Sequence, residues 1–382
     1  MRFVMIGRHS EGEILSGPEK TARRLYREFS RRKGLAGTFL EYGFDGSRFG
    51  SKDKLFGYDV RYAAGGGEIH RLGLVNMPSF IRRYRPDVIM VATFERFALV
   101  PVWYAVQRRI PLVYIVHAIV REENETLRPD MPAFVRYKDA LVESFLFRKA
   151  SLLCFFSEDS IRHARRVYNF PDHRIGIVDN GIDEVFLRSG AALRDENRPF
   201  TIFFGGDPAR PEKGWDFFRS ALSLIDGPLH VEVVAKDGIP MKDIPANVSV
   251  RVHRPMPAEA LAALFRSADC FVCASTFETF SIMTAEAMAS GLPPIVTRTT
   301  GITRFIRDGE NGFVVDYGDA PALAARIAAL KRDPERLRYM SRCAGEIGDR
   351  LGWADVADRY LEMIKPLCAV ERNRPTDHGG IP

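Results

Sequence analysis

The chain reads as an α/β protein built on two doubly wound parallel sheets. Short apolar runs alternate with amphipathic stretches, the signature of strands joined by crossover helices. The alternation comes in two series, separated by a stretch with no periodicity, which implies two such domains. The first series places strands at 2–6, 38–42, 58–62, 88–92, 112–117, 152–156 and 175–178. The second places them at 200–204, 230–235, 249–252, 270–273, 294–297 and 312–315. A length of 382 residues suits two to three domains with large cores.

Taken in order, Met-Arg-Phe-Val-Met-Ile-Gly is too short an apolar run for a signal peptide and reads as a first strand. Ser16-Gly17-Pro18-Glu19 has capping-box spacing with Pro in the first turn, and so opens a helix. Ala22, Leu25, Tyr26 and Phe29 give that helix one buried face. Its other face carries Lys20, Arg23, Arg24 and Arg27, followed by Arg31, Arg32 and Lys33, and reads either as a solvated face or as an anion- or membrane-seeking one. The first domain is expected over 1–186, a linker over 187–198 and the second domain over 199–352. A helix over 353–370, apolar at Val356, Ala357, Tyr360 and Met363, is expected to fold back on the first domain, leaving 371–382 as a disordered tail.

Composition narrows the function. With 46% hydrophobic residues and 39 Phe or Tyr the chain is a folded one, and no apolar run reaches the length of a membrane span. Five cysteines, odd in number and sparse, suggest a reducing, cytoplasmic setting. Residues 1–180 carry 30 Lys or Arg against 21 Asp or Glu, a net of +9, while the remainder nets −3. The first half therefore faces something anionic, such as nucleic acid or the inner face of a membrane, or is simply a solvated basic surface. A second basic cluster, Arg82-Arg83-Tyr84-Arg85, favours the membrane surface, and no nucleic-acid motif is present.

Several chemistries lack their motif. Gly12-x4-Gly17 runs into Pro18-Glu19 and is no P-loop; no G-x-G-x-x-G follows the first strand, no Gly-x-Ser-x-Gly occurs, and no Asp-x-Asp offers a metal-diphosphate pair. Cys270-x-x-Cys273 lies in an apolar strand without a second pair and reads as structural. The informative stretch is 277–296, FETFSIMTAEAMASGLPPIV: a strand end, a loop with Glu278, then a helix opening near Phe280-Ser281 and closing at Gly291. Its one charge, Glu286, shares a face with Ile282 and Ala289, where an acid needs hydrogen-bond donors on its oxygens. A ribose diol supplies two such donors, although a structural partner would serve as well. The helix N-terminus, with backbone N–H groups at Phe280, Ser281 and Ile282, suits a pyrophosphate.

Glu278 and Glu286, seven residues apart and followed by the rest of EAMASGLP, resemble the E-x7-E motif of the retaining, family-4-type (group 1) glycosyltransferases of the GT-B fold. Gly205-Gly206 with Lys213-Gly214-Trp215-Asp216 resembles that family's G-R…K-G-x-D clamp for the donor diphosphate. Asn180-Gly181-Ile182-Asp183 with Phe186, Asp308-Gly309-Glu310-Asn311-Gly312, and Val116-His117 resemble its domain-junction, last-strand and active-site histidine segments. The chain departs from the pattern at Asp207, where the family has Arg after the clamp glycine, and at Arg304, where it commonly has Glu.

The resemblance implies a cleft between two facing Rossmann-like domains. It places Glu286 on the ribose hydroxyls, Glu278 on the donor sugar, and the Phe280, Ser281 and Ile282 amides on the phosphates. It places Lys213, with Arg210 as a replacement for the absent arginine, on the leaving diphosphate, Gly206 and Gly17 beside the phosphates, and His117 near the sugar. Glu278, His117 and Lys213 form its catalytic set, with no metal and no cofactor beyond the nucleotide-sugar co-substrate. The implied acceptor is a glycan or lipid-linked hydroxyl in envelope polysaccharide or glycolipid synthesis. A non-catalytic nucleotide-sugar-binding subunit and a nucleotide-sugar epimerase of the same fold are the alternatives.

Overall fold

A computed structural model describes residues 1–8, 15–41, 56–62, 67–126, 130–187, 198–236, 238 and 243–372. The expected linker and tail, and the loop just before Gly17, fall almost wholly outside the described residues. The first sheet comprises β1 (Arg2–Ile6), β2 (Ala36–Glu41), β3 (Tyr58–Tyr62), β4 (Glu68–Leu72), β5 (Val88–Val91), β6 (Leu112–Ile115), β7 (Leu152–Phe155) and β8 (Ile175–Ile177). Its order is β3-β4-β2-β1-β5-β6-β7-β8, parallel except for β3 against β4. The second sheet holds β9 (Phe200–Phe204), β10 (Leu229–Val234), β11 (Val248–His253), β12 (Cys270–Cys273), β13 (Pro294–Thr297) and β14 (Phe313–Val315). Its order is β11-β10-β9-β12-β13-β14, and every pair is parallel.

Strand β4 escapes the apolar pattern. It reads Glu-Ile-His-Arg-Leu, and its polar residues are accommodated by cross-strand partners: Tyr58 meets His70 at 3.3 Å and Arg71 donates to Glu41 at 3.2 Å. Charge that is paired across a sheet leaves no hydrophobic trace in the sequence.

Helices on the first domain are α1 (Gly17–Arg31), α2 (Asn76–Tyr84), α3 (Leu99–Gln107), α4 (Val120–Thr126), α5 (Ala133–Lys149), α6 (Glu158–Arg165) and α7 (Glu184–Leu187). The second domain carries α8 (Trp215–Leu222), α9 (Ala258–Ser267), α10 (Ile282–Ala289), α11 (Ala320–Arg332) and α12 (Pro334–Gly345), and the chain closes on α13 (Trp353–Arg372). One core lies between the first sheet and α2, α3 and α5. Another runs continuously from α1 and α13 across to Ala285, Met288 and Phe280 of the second domain, so the two domains share buried apolar surface.

Helix α13 crosses back to the first domain. A Cβ at Gly176 would lie 2.8 Å from Met363 Sδ, and one at Gly181 only 2.3 Å from the Trp353 indole, so both glycines are fixed by this contact. Asp183 accepts from Trp353 Nε1 at 2.9 Å and from Arg24 at 2.7 Å, while Thr21 donates to Asn180 at 2.6 Å. The Asn-Gly-Ile-Asp junction thus joins α1 and α13.

Part of the basic face of α1 is taken up inside the molecule, while Arg31 and Lys33 stay exposed. Lys20 and Arg24 turn into the domain junction, and Arg32 donates to Asp358 at 3.0 Å and to the Ala354 carbonyl at 2.6 Å on α13. Arg82, Arg83 and Arg85 also stay exposed.

Candidate active site

In each sheet the strand order reverses beside a central strand, β1 in the first and β9 in the second. Loops leaving the carboxyl ends of neighbouring strands there diverge and open a crevice. In the second domain these loops follow β9 and β12, and they carry Gly206 to Lys213 and Ala274 to Ser281. They are fastened to each other. Gly214 adopts φ +73°, and a Cβ there would sit 2.0 Å from the Ala274 carbonyl oxygen; the Thr276 amide donates to the Glu212 carbonyl at 2.9 Å. Gly301 meets the Thr279 carbonyl just as closely, and Thr297 and Thr299 both donate to the Ser275 carbonyl.

This scaffold sets Lys213 against Glu278 in a direct ion pair, with Ser275 Oγ donating to the same carboxylate oxygen at 3.2 Å. Burial acts to lower the Lys213 ammonium, but Glu278 more than offsets it and the net shift is upward, so the lysine stays charged. A Cβ on Gly206 would meet the Lys213 Cβ at 2.7 Å, so a larger residue there would displace the lysine stem. Arg210 pairs with Glu212 beside it. Asp207 caps its own turn, accepting from the Ala209 amide at 3.0 Å.

Helix α10 begins at Ile282, one to two residues later than the sequence suggests. Its N-cap, Ser281, holds φ +75° and ψ +73°, a left-handed conformation rare for a residue with a side chain. Ser281 Oγ lies 2.7 Å from Thr284 Oγ1. Phe280 precedes the helix and is buried, its ring 6.0 Å from Phe156 and 6.1 Å from Phe305. Gly17, at the start of α1, faces this turn: a Cβ there would lie 3.4 Å from Ile282 Cδ1. Glu286, 2% exposed, projects from α10 towards α1, where Lys20 Nζ meets its Oε1 at 2.5 Å. Burial raises the Glu286 carboxyl, and Lys20 partly offsets this.

His117 follows β6 on the opposite wall. Its Nε2 lies 3.0 Å from the Ala92 carbonyl, which can only accept, so Nε2 carries the proton. Burial drives the imidazole down to about 4, partly offset by that hydrogen bond; the ring is neutral at pH 7 and presents Nδ1 as an acceptor. Thr279 Oγ1 donates across the cleft to the His117 carbonyl at 2.8 Å. Next to this contact Phe277 stacks on His163, with centroids 4.4 Å apart, and His163 Nε2 meets Glu122 at 2.5 Å.

The structure thus brings Lys213 and Glu278 into contact, places Glu286 one helix away, and reaches His117 from the same loop through Thr279. Sequence reasoning missed Lys20, Thr279, Phe277 and His163, whose partners lie far away along the chain. It also left Arg304 unplaced: this residue bridges the domains, donating to Val178 O at 2.9 Å and pairing with Asp179. Cys270 and Cys273 are buried in β12, and no cysteine is in a disulfide. Among the described residues, no group of three or more His, Cys, Asp or Glu is placed to hold a metal ion.

Two nucleotide-binding-type domains with paired glutamates on one side of a shared cleft define a GT-B glycosyltransferase. The chain belongs to the group 1 glycosyltransferases: the model described as Glycosyltransferase Family 4 matches residues 15–186, and that described as Glycosyl transferases group 1 matches 198–333. D-inositol 3-phosphate glycosyltransferase 1 of Catenulispora acidiphila is 27% identical over 291 residues, 70% of this chain and 69% of the relative. Among solved structures, sucrose-phosphate synthase from Thermosynechococcus elongatus superposes with TM-score 0.74 at 17% identity, covering 97% of this chain and 99% of its own. Anabaena HepE in complex with UDP-glucose does so with TM-score 0.69 at 16% identity, covering 96% and 100%.

Proposed function

We propose that the protein transfers a sugar from a nucleotide-diphosphate sugar to an acceptor hydroxyl with retention at the anomeric carbon. The observation that carries this is the Lys213–Glu278 pair, fixed at the switch point of the second sheet with Glu286 on the following helix. Glu286 keeps an oxygen for the ribose hydroxyls beside the one Lys20 occupies. Glu278 takes hydroxyls of the donor sugar, and the backbone N–H groups at Ser281 and Ile282, behind Phe280, meet the phosphates. The complex of HepE with UDP-glucose supports a donor of this class.

Charge accumulates on the leaving diphosphate in the transition state. A preorganised Lys213, aided by Arg210 beside it, stabilises that charge, and the chain has no Asp-x-Asp through which a metal would do so. Gly206 and Gly17 keep the walls low where the diphosphate passes. Neutral His117 offers Nδ1 to a sugar hydroxyl. Retention then proceeds by front-face attack assisted by the leaving phosphate, without a protein nucleophile. Asp207 holds a turn and Arg304 a domain contact, and Arg210 takes the part of the arginine that Asp207 replaces.

The acceptor we propose is a glycan or lipid-linked hydroxyl of an envelope polysaccharide or glycolipid, met at the cytoplasmic face of a membrane. The net +9 of residues 1–180 supports an anionic meeting surface. No helix among the described residues is long and apolar enough to cross a bilayer. The test is a donor screen: purified protein with UDP-, GDP-, ADP- and dTDP-sugars, reading released nucleoside diphosphate, with and without membrane extract. Release from one donor, lost in Glu286→Ala, is expected. Donor binding without turnover in any condition would assign a non-catalytic subunit instead.

A further inference from the structure

Helix α5 is apolar on both sides. Val142, Leu146 and Phe147 face the first-domain core, while Phe134, Tyr137 and Leu141, at i, i+3 and i+7, point outward with the first two 62% and 66% exposed. A helix with this pattern is ordinarily enclosed. Beside it runs α3, whose outward Leu99 and Trp103, the latter 53% exposed, continue the same surface. The two helices are held in register from beneath: Arg96, in the turn leading into α3, donates to the buried Asp139 of α5 at 2.9 Å, and Asn124 donates to the same carboxylate at 2.9 Å. Single exposed apolar side chains need no account, but five on two locked neighbouring helices form one patch.

Charge surrounds the patch in an ordered way. Lys138 lies within it, its Nζ 5.2 Å from the Phe134 ring. At the far end, α2, α3 and α5 finish on exposed Arg82 and Arg83, Arg108, and Arg148 and Lys149. Of the carboxylates at the other end, Glu122 and Glu125 of α4 are taken up by His163 and Arg121, and Asp130, exposed just before α5, is outnumbered by the five cationic helix-end residues. Both α3 and α5 start from loops that leave the carboxyl ends of β5 and β6, the edge that carries His117, so the apolar end of the surface lies towards the cleft.

From this juxtaposition we infer that the outer face of α3 and α5, with its collar of arginine and lysine, docks on an anionic lipid bilayer. Trp103, Phe134 and Tyr137 enter the headgroup region, and the basic helix ends meet the surface charge. The inference deepens the membrane-bound acceptor proposed above by naming the surface, and it places the mouth of the cleft at the level of the headgroups.

The test reads lipid binding without sugar transfer, so it can fail independently of the donor assignment. The full chain is sedimented with vesicles of phosphatidylcholine alone and of phosphatidylcholine with an equal share of phosphatidylglycerol. Binding is expected to the second at least tenfold more strongly, weakening as salt rises. Trp103 is the one exposed tryptophan of three, Trp215 and Trp353 being buried, so a blue shift of emission on binding reports it and vanishes in Trp103→Phe. Phe134→Ser with Tyr137→Ser is expected to cut binding tenfold or more with unchanged circular dichroism and unchanged donor turnover; Arg82→Glu with Arg108→Glu does so through charge alone. Equal recovery with and without anionic lipid, or full binding by the serine pair, overturns the inference. A dimer seen by light scattering and abolished by the serine pair overturns it in favour of a second copy on this face.

Discussion

The second-domain wall of the cleft is fastened by its own backbone: Gly214 and Gly301 lock the β9, β12 and β13 loops together, and Lys213 and Glu278 ride on them as a unit. The first-domain wall reaches the site at isolated points, the Lys20 side chain onto Glu286 and the strand-end His117 carbonyl under Thr279, whose partners belong to the other domain. One wall is preorganised; the other completes the site only when the domains meet. In the proposed function the donor has its rigid seat on the second wall, and Lys20 and His117 belong to the wall that encloses it.

That comparison can be broken at several points. Lys213→Met removes the fixed cation and should lower nucleoside diphosphate release by ~100- to 1,000-fold with little loss of fold, as for other preorganised charge-stabilising groups. Activity within a few-fold of native would show that the rigid wall is not the chemical one. Lys20→Met leaves Glu286 buried without its cation and should cost ~2–4 kcal/mol in urea unfolding of the free protein. Pairing it with Glu286→Gln should recover much of that loss, and a double-mutant cycle near zero would mean that the cross-domain pair does not couple the walls. Gly214→Ala forces a Cβ onto the Ala274 carbonyl at a positive φ and should cost about 2 kcal/mol or more, while reducing turnover through a displaced Lys213.

The smallest expected effect is on pH. His117 in the folded chain titrates near 4 instead of its ordinary 6.5, so between these values the unfolded chain binds the proton first. Its contribution is therefore full above pH 6.5 and is lost as pH falls towards 4, on the order of 1–3 kcal/mol. Glu143, raised to about 7 by burial beneath α4, works in the opposite sense, since its proton is held more tightly in the folded chain between 4.5 and 7. The difference between native and His117→Gln unfolding curves isolates the histidine. It should shrink steadily from pH 6.5 to 4.5, and a flat difference would deny that the ring is enclosed.

The same asymmetry explains what could be read from sequence. Glu278, Glu286 and Lys213 were singled out through their resemblance to a family motif, and the structure sets Lys213 against Glu278 on the two loops that the strand pattern predicted. Lys20 was visible only as part of a basic helix face, because its partner is 266 residues away. Thr279 and His117, 162 apart, meet through a backbone carbonyl that no side-chain pattern marks. Strand β4 was hidden by charges that the sheet itself neutralises, and the outer face of α5 by an inner face equally apolar.

The proposed function has Glu286 of the second wall hold the nucleotide while His117 of the first wall meets only the sugar. Calorimetric titration of the nucleoside diphosphate and of the matching nucleotide sugar into native, Glu286→Gln and His117→Asn protein tests it directly. Glu286→Gln should weaken both ligands by tenfold or more, whereas His117→Asn should leave the nucleoside diphosphate within twofold and weaken only the sugar-bearing one. Undiminished nucleoside diphosphate binding in Glu286→Gln, or equal losses for both ligands in His117→Asn, would contradict it.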